Sequence, residues 1–298
     1  MAKPKFTIVQ FKAEYPDDAA CLLAILKRRY PWMDATPACP NCGVVGKLTR
    51  IEGRRAFACK EGCHIYPCAG TVFEHSSTPL TLWFQAMYLM TSTRNGVAAK
   101  ELERQLGVTY KCAWRIGHQL RELMAARDKA TTPTQLSGHV EIDETYVGGK
   151  RRKVHRSDAP GEGKTVVMGL VQRGGAFKGH VVPDNRKPTL LTHILKDVAF
   201  GTTVSTDTLA AYKKLGQHGF KHKAVRHERY EWVKGIYSTN RVEGFWSHLK
   251  NGIASTHIHV SPQHMQKYVN EFAYRYNNRH EPAEMFRRML AQISKATS

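Results

Sequence analysis

The chain has 298 residues, 42% of them hydrophobic, enough for a true core and for two or three domains at roughly 100–200 residues each. Lys and Arg number 45 against 25 Asp and Glu, a net charge of +20 that points to a polyanion, nucleic acid first, with a basic enzyme or ribosome-associated factor as the plainer class. No apolar run reaches the roughly 18 residues of a membrane span, and "MAKPKFTIVQFKAEYPDD" carries no signal-peptide core, so a cytoplasmic, nucleoid-associated protein with no membrane partner is expected.

Residues 1–36 read as a helical segment. Asp17 or Asp18 can cap a run carrying Cys21, Leu22, Leu23, Ile25 and Leu26. Residues 37–75 read as a zinc ribbon. Of seven cysteines, at 21, 39, 42, 59, 63, 68 and 112, five fall between 39 and 68. In an intracellular chain that clustering argues for metal rather than disulfides. "CPNCG" and "CKEGCHIYPC" bracket a weakly alternating stretch that suits a small β-hairpin. Cys39, Cys42, Cys59 and Cys63 form the expected ligand set, because a short Cys-to-Cys turn presents two thiolates from one loop. The second knuckle is C-x3-C, so His64 and Cys68 compete for the fourth place. A zinc ion with four protein ligands is structural, having no open position for chemistry; a cluster of reduced cysteines is the plainer alternative.

Residues 76–128 read as a helix-turn-helix DNA-binding region. Ser77 or Thr78, with Pro79, can start a helix carrying Leu82, Trp83, Ala86 and Leu89. Two amphipathic helices follow, joined at Gly107, with Thr109 capping the second. Tyr110, Lys111, Arg115 and His118 fall on or near its exposed face, where they would meet DNA. A generic helical hairpin has the same pattern. "DKATTPTQLSG" reads as a linker.

From 139 to 280 the pattern changes to strands. Three antiparallel strands, a helix, a fourth strand ending at Asp207, a further strand around "KAVRH" and then helices match the order of an α/β RNase H-like, integrase-type domain. In that fold the first and fourth strands each carry a metal-binding carboxylate, places held here by Asp143 and Asp207. Glu141, Asp143 and Thr145 share one strand face, opposite Ile142 and Glu144. Clustered carboxylates resist burial unless a cation joins them, and magnesium prefers carboxylate oxygen, water and phosphate. A solvated edge strand is the alternative for Asp143.

The third group belongs in "STNRVEGFWSHLKNGI". At about 100° per residue, Val242, Phe245 and Leu249 fall on one side, with Asn240, Glu243, Ser247 and Lys250 opposite. Glu243 is the harder anionic ligand and stands seven residues before Lys250, which would hold a phosphate; Asn240 offers a neutral carbonyl oxygen. The insert 149–164, with Lys150, Arg151 and Arg152, reads as a basic loop lying against phosphates. His257, His259 and His264 lack knuckle or helical metal spacing. Arg275 and Arg279 would face DNA from a helix that packs Val269, Phe272 and Tyr276 inward, and 281–298 is left as a C-terminal helix or tail.

From Cys39 to Arg279 the chain resembles bacterial insertion-sequence transposases of the ISXO-type group, a zinc ribbon followed by a DDE-type integrase-like domain. "EIDETYVGGK", "STDTLAAYKKL", "TNRVEGFWSHLKNGI" and "YVNEFAYRYNNRH", in that order, carry the resemblance. It implies DNA transposition with two magnesium or manganese ions at the catalytic site. It also implies a catalytic set of Asp143, Asp207 and a third residue, Asn240 or Glu243, with Lys250. The implied partners are double-stranded DNA, as terminal inverted repeats and target, and further copies of the chain in a homodimer or larger complex. An RNase H-like nuclease or resolvase would cut without joining. A zinc-ribbon and helix-turn-helix regulator would bind without cutting, and would leave Asp143, Asp207 and Glu243 without a task.

Overall fold

In the computed structural model, residues 5–35, 37–148, 164–225 and 233–293 are described. Lys150, Arg151 and Arg152, and most of "VRHERYEW", lie outside them. The chain divides into two compact units, Met1–Arg127 with Glu281–Ser298, and Asp128–His280.

In the first unit, α1 (Ile8–Glu14) opens with a capping box between Thr7 and Gln10. Asp17 caps α2 (Asp18–Arg29), accepting from the Ala20 N–H at 2.8 Å. The ribbon follows as three short strands, β1 (Thr49–Arg50), β2 (Phe57–Ala58) and β3 (His64–Ile65), in antiparallel order. Arg55 fixes it to the next segment, donating to the carbonyls of Ser76 and Thr78 at 2.7 and 2.6 Å.

Neither Ser77 nor Thr78 caps α3 (Leu80–Ser92), contrary to the sequence expectation. Asp18 does so from α2. Its carboxylate accepts the N–H groups of Leu80 at 3.0 Å and Thr81 at 2.9 Å, along with the Thr81 hydroxyl. Pro79 occupies the cap position and has no side-chain acceptor, so the orphan donors of the first turn find one 62 residues upstream. Next come α4 (Ala99–Leu106), closed by Gly107 at φ 65°, and α5 (Tyr110–Thr131), where Thr109 accepts from the Cys112 N–H. The last helix, Met285–Gln292, is no tail: Phe286 packs among Phe6, Phe11, Tyr15 and Phe84 in this unit's aromatic core.

The second unit is built on a five-stranded sheet. β4 (His139–Val147), β5 (Thr165–Gln172) and β6 (Phe177–Val182) run antiparallel in sequence. α6 (Lys187–Asp197) then leads to β7 (Thr203–Thr206) and β8 (Lys221–Ala224), both parallel to their neighbours. The spatial order β6-β5-β4-β7-β8 makes β4 the centre of the sheet, which removes the edge-strand explanation for its carboxylates. A two-stranded ribbon, β9 (Val233–Lys234) and β10 (Tyr237–Ser238), precedes α7 (Asn240–Gly252) and α8 (Pro262–Asn277).

Alternation along the strands fills two cores, one on each face. Val140 and Ile142 join Met168, Leu190 and Ile194 on the α6 side. Val147, Val167 and Val171 join Val242, Phe245, Leu249 and Phe272 on the side of α7 and α8. The result is the helix–sheet–helix layering of an RNase H-like domain.

Removing the Asp18 carboxylate strands the first two N–H groups of α3. Asp18→Ala should therefore cost about 1–2 kcal/mol, at the upper end for a helix cap. Urea unfolding followed by circular dichroism checks this, with Asp17→Ala as the single-cap comparison.

Candidate active site

β4 and β7 lie side by side and parallel, pairing Val140 with Val204 and Glu141 with Ser205. Two residues further along the same register Asp143, midway along β4, stands level with Asp207, just past the end of β7. The carboxylate oxygens of Asp143, Glu144 and Asp207 lie within 4.8 Å of one another. Glu144 is on the other strand face, as the alternation requires, held by the buried hydroxyl of Tyr212 at 2.6 Å. Its length brings its oxygen back to the group. Sequence reading left Glu144 without a role, although its place beside Asp143 was a signal.

α7 supplies the opposite wall. Glu243, Trp246, Ser247 and Lys250 line a cleft of about 410 Å³ together with Asp143, Thr145 and Asp207. Thr239 donates its hydroxyl to Glu243 at 2.8 Å. Asn240 is exposed, one turn nearer the helix start, and is not among the lining residues. Trp246 donates its indole N–H to Asp143 at 3.0 Å. That ring packs against β5 because Gly169, the pairing partner of Asp143, has no side chain; a Cβ there would come to 2.6 Å from it.

Glu141 fixes where α7 begins. It is fully buried on β4, and its carboxylate accepts the backbone N–H of Arg241 at 2.8 Å and of Val242 at 3.4 Å. Thr239 makes no side-chain cap, so Glu141 serves the orphan donors and the positive end of the helix instead. Arg173, at the end of β5, balances the charge, with its Nε 2.8 Å from Glu141 and an Nη 2.7 Å from the Ser238 hydroxyl.

Crowding shows in the acid–base properties. Burial, then the charges of Glu144 and Asp207, push Asp143 up to about 7, against the opposing Trp246 hydrogen bond. Burial likewise raises Glu144, with Tyr212 opposing. Mutually repelling oxygen donors in an open cleft fit a hard divalent cation.

In the ribbon the thiols of Cys39, Cys42, Cys59 and Cys63 also lie within 4.8 Å of one another, with Cys42 and Cys59 Sγ atoms 3.8 Å apart. The thiols of Cys42 and Cys59 push Cys63 up to about 12, the repulsion a zinc ion would relieve. Exposed His64 and buried Cys68 stand outside that group.

On α5, Tyr110, Lys111 and Arg115 are exposed, Arg115 bonding Ser76 Oγ at 3.2 Å. His118 is not on that surface: it is 4% exposed and stacked on Trp114. Arg275 is also turned inward, 6% exposed and paired with buried Glu271 at 2.6 Å, because its position falls on the packed side of α8. Arg279 lies over the Tyr276 ring, and His257, His259 and His264 form no metal group among the described residues.

The family described as "ISXO2-like transposase domain" matches residues 135–277, and the one described as "Transposase zinc-ribbon domain" matches 16–65. A relative from Halobacterium salinarum, an "Uncharacterized protein in transposable element ISH50", is 31% identical over 261 residues, 80% of this chain and 84% of its own. The chain belongs to the ISXO2-like transposase family. It is a DNA transposase, with a zinc-ribbon N-terminal region and a DDE catalytic domain. Such a domain implies a divalent metal, and the four ribbon thiols imply zinc. Two solved structures are also similar. A pre-cleavage Mos1 transpososome shares 11% identity over 72% of this chain and 79% of its own, with a TM-score of 0.28. The Mos1 strand transfer complex shares 12% over 72% and 78%, with a TM-score of 0.29. Likenesses this low carry no argument. Among the described residues no helix is long and apolar enough to cross a membrane.

Two outcomes follow for this transposase. Glu141→Gln leaves Arg173, a quarter exposed, beside a neutral amide and weakens the cap of α7, and should cost about 1–3 kcal/mol of stability in urea unfolding. The second concerns pH. With its folded pKa raised from 3.8 to about 7, Asp143 favours the metal-free fold below pH 4, and this contribution is lost as pH rises through about 7. Asp143→Asn should thus be more stable than the parent above pH 7 in chelator, by on the order of 1–2 kcal/mol, and the gap should vanish near pH 4. Thermal melts across that range measure it.

Proposed function

We propose that this transposase binds the terminal inverted repeats of its element as a homodimer or larger assembly, cleaves DNA strands there and transfers the 3′-OH ends to target DNA. The observation that carries this reading is the meeting of Asp143 and Asp207, on adjacent parallel strands, with Glu243 and Lys250 of α7 in one cleft. The relative's place in a transposable element supports it. The setting is the cytoplasm, at nucleoid DNA.

Asp143, Asp207 and Glu243 are the residues that would hold magnesium or manganese, two ions in the full site, with Glu144 close enough to contribute. When bound, the ions supply positive charge to the scissile phosphate and lower the pKa of the attacking hydroxyl. Trp246 aims the Asp143 carboxylate, and Thr239 aims that of Glu243. Lys250 receives a phosphate two turns along α7 from Glu243. Asn240, exposed at the helix start, contacts DNA rather than metal. Cys39, Cys42, Cys59 and Cys63 hold a structural zinc. The region 76–128 reads the element end with Tyr110, Lys111 and Arg115, and Lys150, Arg151 and Arg152 add phosphate contacts.

The test is a strand-transfer assay with magnesium and DNA carrying the element's own ends. Asp207→Ala should abolish cleavage and joining while end binding persists. Glu243→Gln should lower turnover by about two orders of magnitude or more, the scale of losing one charge-stabilising group, and Asn240→Ala by far less. Cutting without joining would make the protein a nuclease. The reverse ranking, with Asn240→Ala inactive and Glu243→Gln active, would place the third ligand at Asn240. Lys250→Ala should weaken end binding and flatten its dependence on salt by about one phosphate contact.

A further inference from the structure

Away from the cleft, at the opposite end of the sheet order, a second group of metal-ligating side chains meets. His180 stands on the edge strand β6, and His193 and Asp197 stand four residues apart on α6, so they share one helix face. One ligand atom from each lies within 4.8 Å of the other two. The two imidazoles stack with centroids 4.5 Å apart. His180 Nε2 is 2.7 Å from Asp197 Oδ2, and Asp197 is 5% exposed.

Two details distinguish this group from an ordinary buried ion pair. The Nδ1 atom of His193 is shielded from solvent and has no hydrogen-bond partner among the described residues, a costly state for an imidazole nitrogen. Asp197 is itself held in place: Lys178 takes Oδ1 at 2.9 Å and also donates to the Thr134 carbonyl, leaving Oδ2 directed at the histidines. Hydrogen-bonded carboxylates of this kind are what orient ligands around metal ions.

We propose that His180, His193 and Asp197 bind a divalent transition-metal ion, zinc by preference, joining the edge strand β6 to α6. Two imidazoles and one carboxylate suit a borderline cation, whereas magnesium and calcium take all-oxygen sites. On binding, the His180–Asp197 hydrogen bond is exchanged for coordination by both groups, and His193 adds one ring nitrogen. With three protein ligands, water completes the tetrahedron. The ion is distinct from the ribbon zinc, which rests on thiols, and from the cleft ions, which rest on Asp143 and Asp207.

The experiment uses the full chain. It is equilibrated with excess zinc in millimolar magnesium, passed through gel filtration and analysed for zinc by mass spectrometry. The parent should retain about two zinc ions, one at the ribbon and one here, while His193→Ala and His180→Gln should each retain about one. Asp143→Asn, altered only in the cleft, should keep the parent's content. Zinc should raise the thermal midpoint of the apo parent more than that of His193→Ala; circular dichroism confirms that the variants are folded. Equal zinc in parent and both histidine variants, or loss of the second ion in Asp143→Asn instead, would overturn the proposal. Strand-transfer activity does not enter, so the outcome is separate from that of the catalytic reading.

Discussion

A helix can contribute to a site only if its start is held, and α7 is held by one buried carboxylate. Glu141 sits at the centre of the sheet and takes two of the free N–H groups in the first turn of α7, while Arg173 cancels the charge that burial would otherwise forbid. Strand and helix are thereby locked at a fixed spacing. Asp143, two residues along β4, and Glu243, two residues past Arg241, inherit that spacing. Trp246 adds a second tie one turn later, possible only because Gly169 leaves room for its ring.

The same strand bears two kinds of acid, and their surroundings separate them. Glu141 is satisfied by a guanidinium and by backbone donors, so it is a structural anion. Asp143 has like charges for neighbours and one indole donor, so its ionised form is disfavoured until a cation arrives. Stability is sacrificed in the cleft and recovered next to it. That division is how a fold can hold reactive carboxylates without being pulled apart by them.

Much of this was legible in the chain. The order of strands and helices, the cysteine spacing and the positions of Asp143 and Asp207 follow from local pattern, because alternation and turn residues are local properties. What escaped depends on partners distant in sequence. The cap of α3 comes from Asp18, the cap of α7 from Glu141, and the seat of Trp246 from Gly169; none has a marker within a few residues. Two residues were misplaced for a related reason. His118 and Arg275 are polar letters on amphipathic helices, and polarity suggested the outer face. Each helix is covered more widely than its apolar stripe implies, and the polar groups turn inward to stack on Trp114 or pair with Glu271.

The hydrogen bonds from Arg241 and Val242 to Glu141 close loops of 100 and 101 residues. Closure over such a span comes late, since long-range pairing must wait for the chain between to be made and ordered. A ribosome that has released β4 through β8 has exposed Asp143, Asp207 and the Glu141 anchor, but not the helix that Glu141 caps. With Glu243 as a metal ligand, as proposed, competence to cut DNA arrives only once α7 has emerged and docked. Unfinished or truncated chains that stop before it hold Asp143 and Asp207 without the helix wall that faces them, a consequence of the connectivity of the fold.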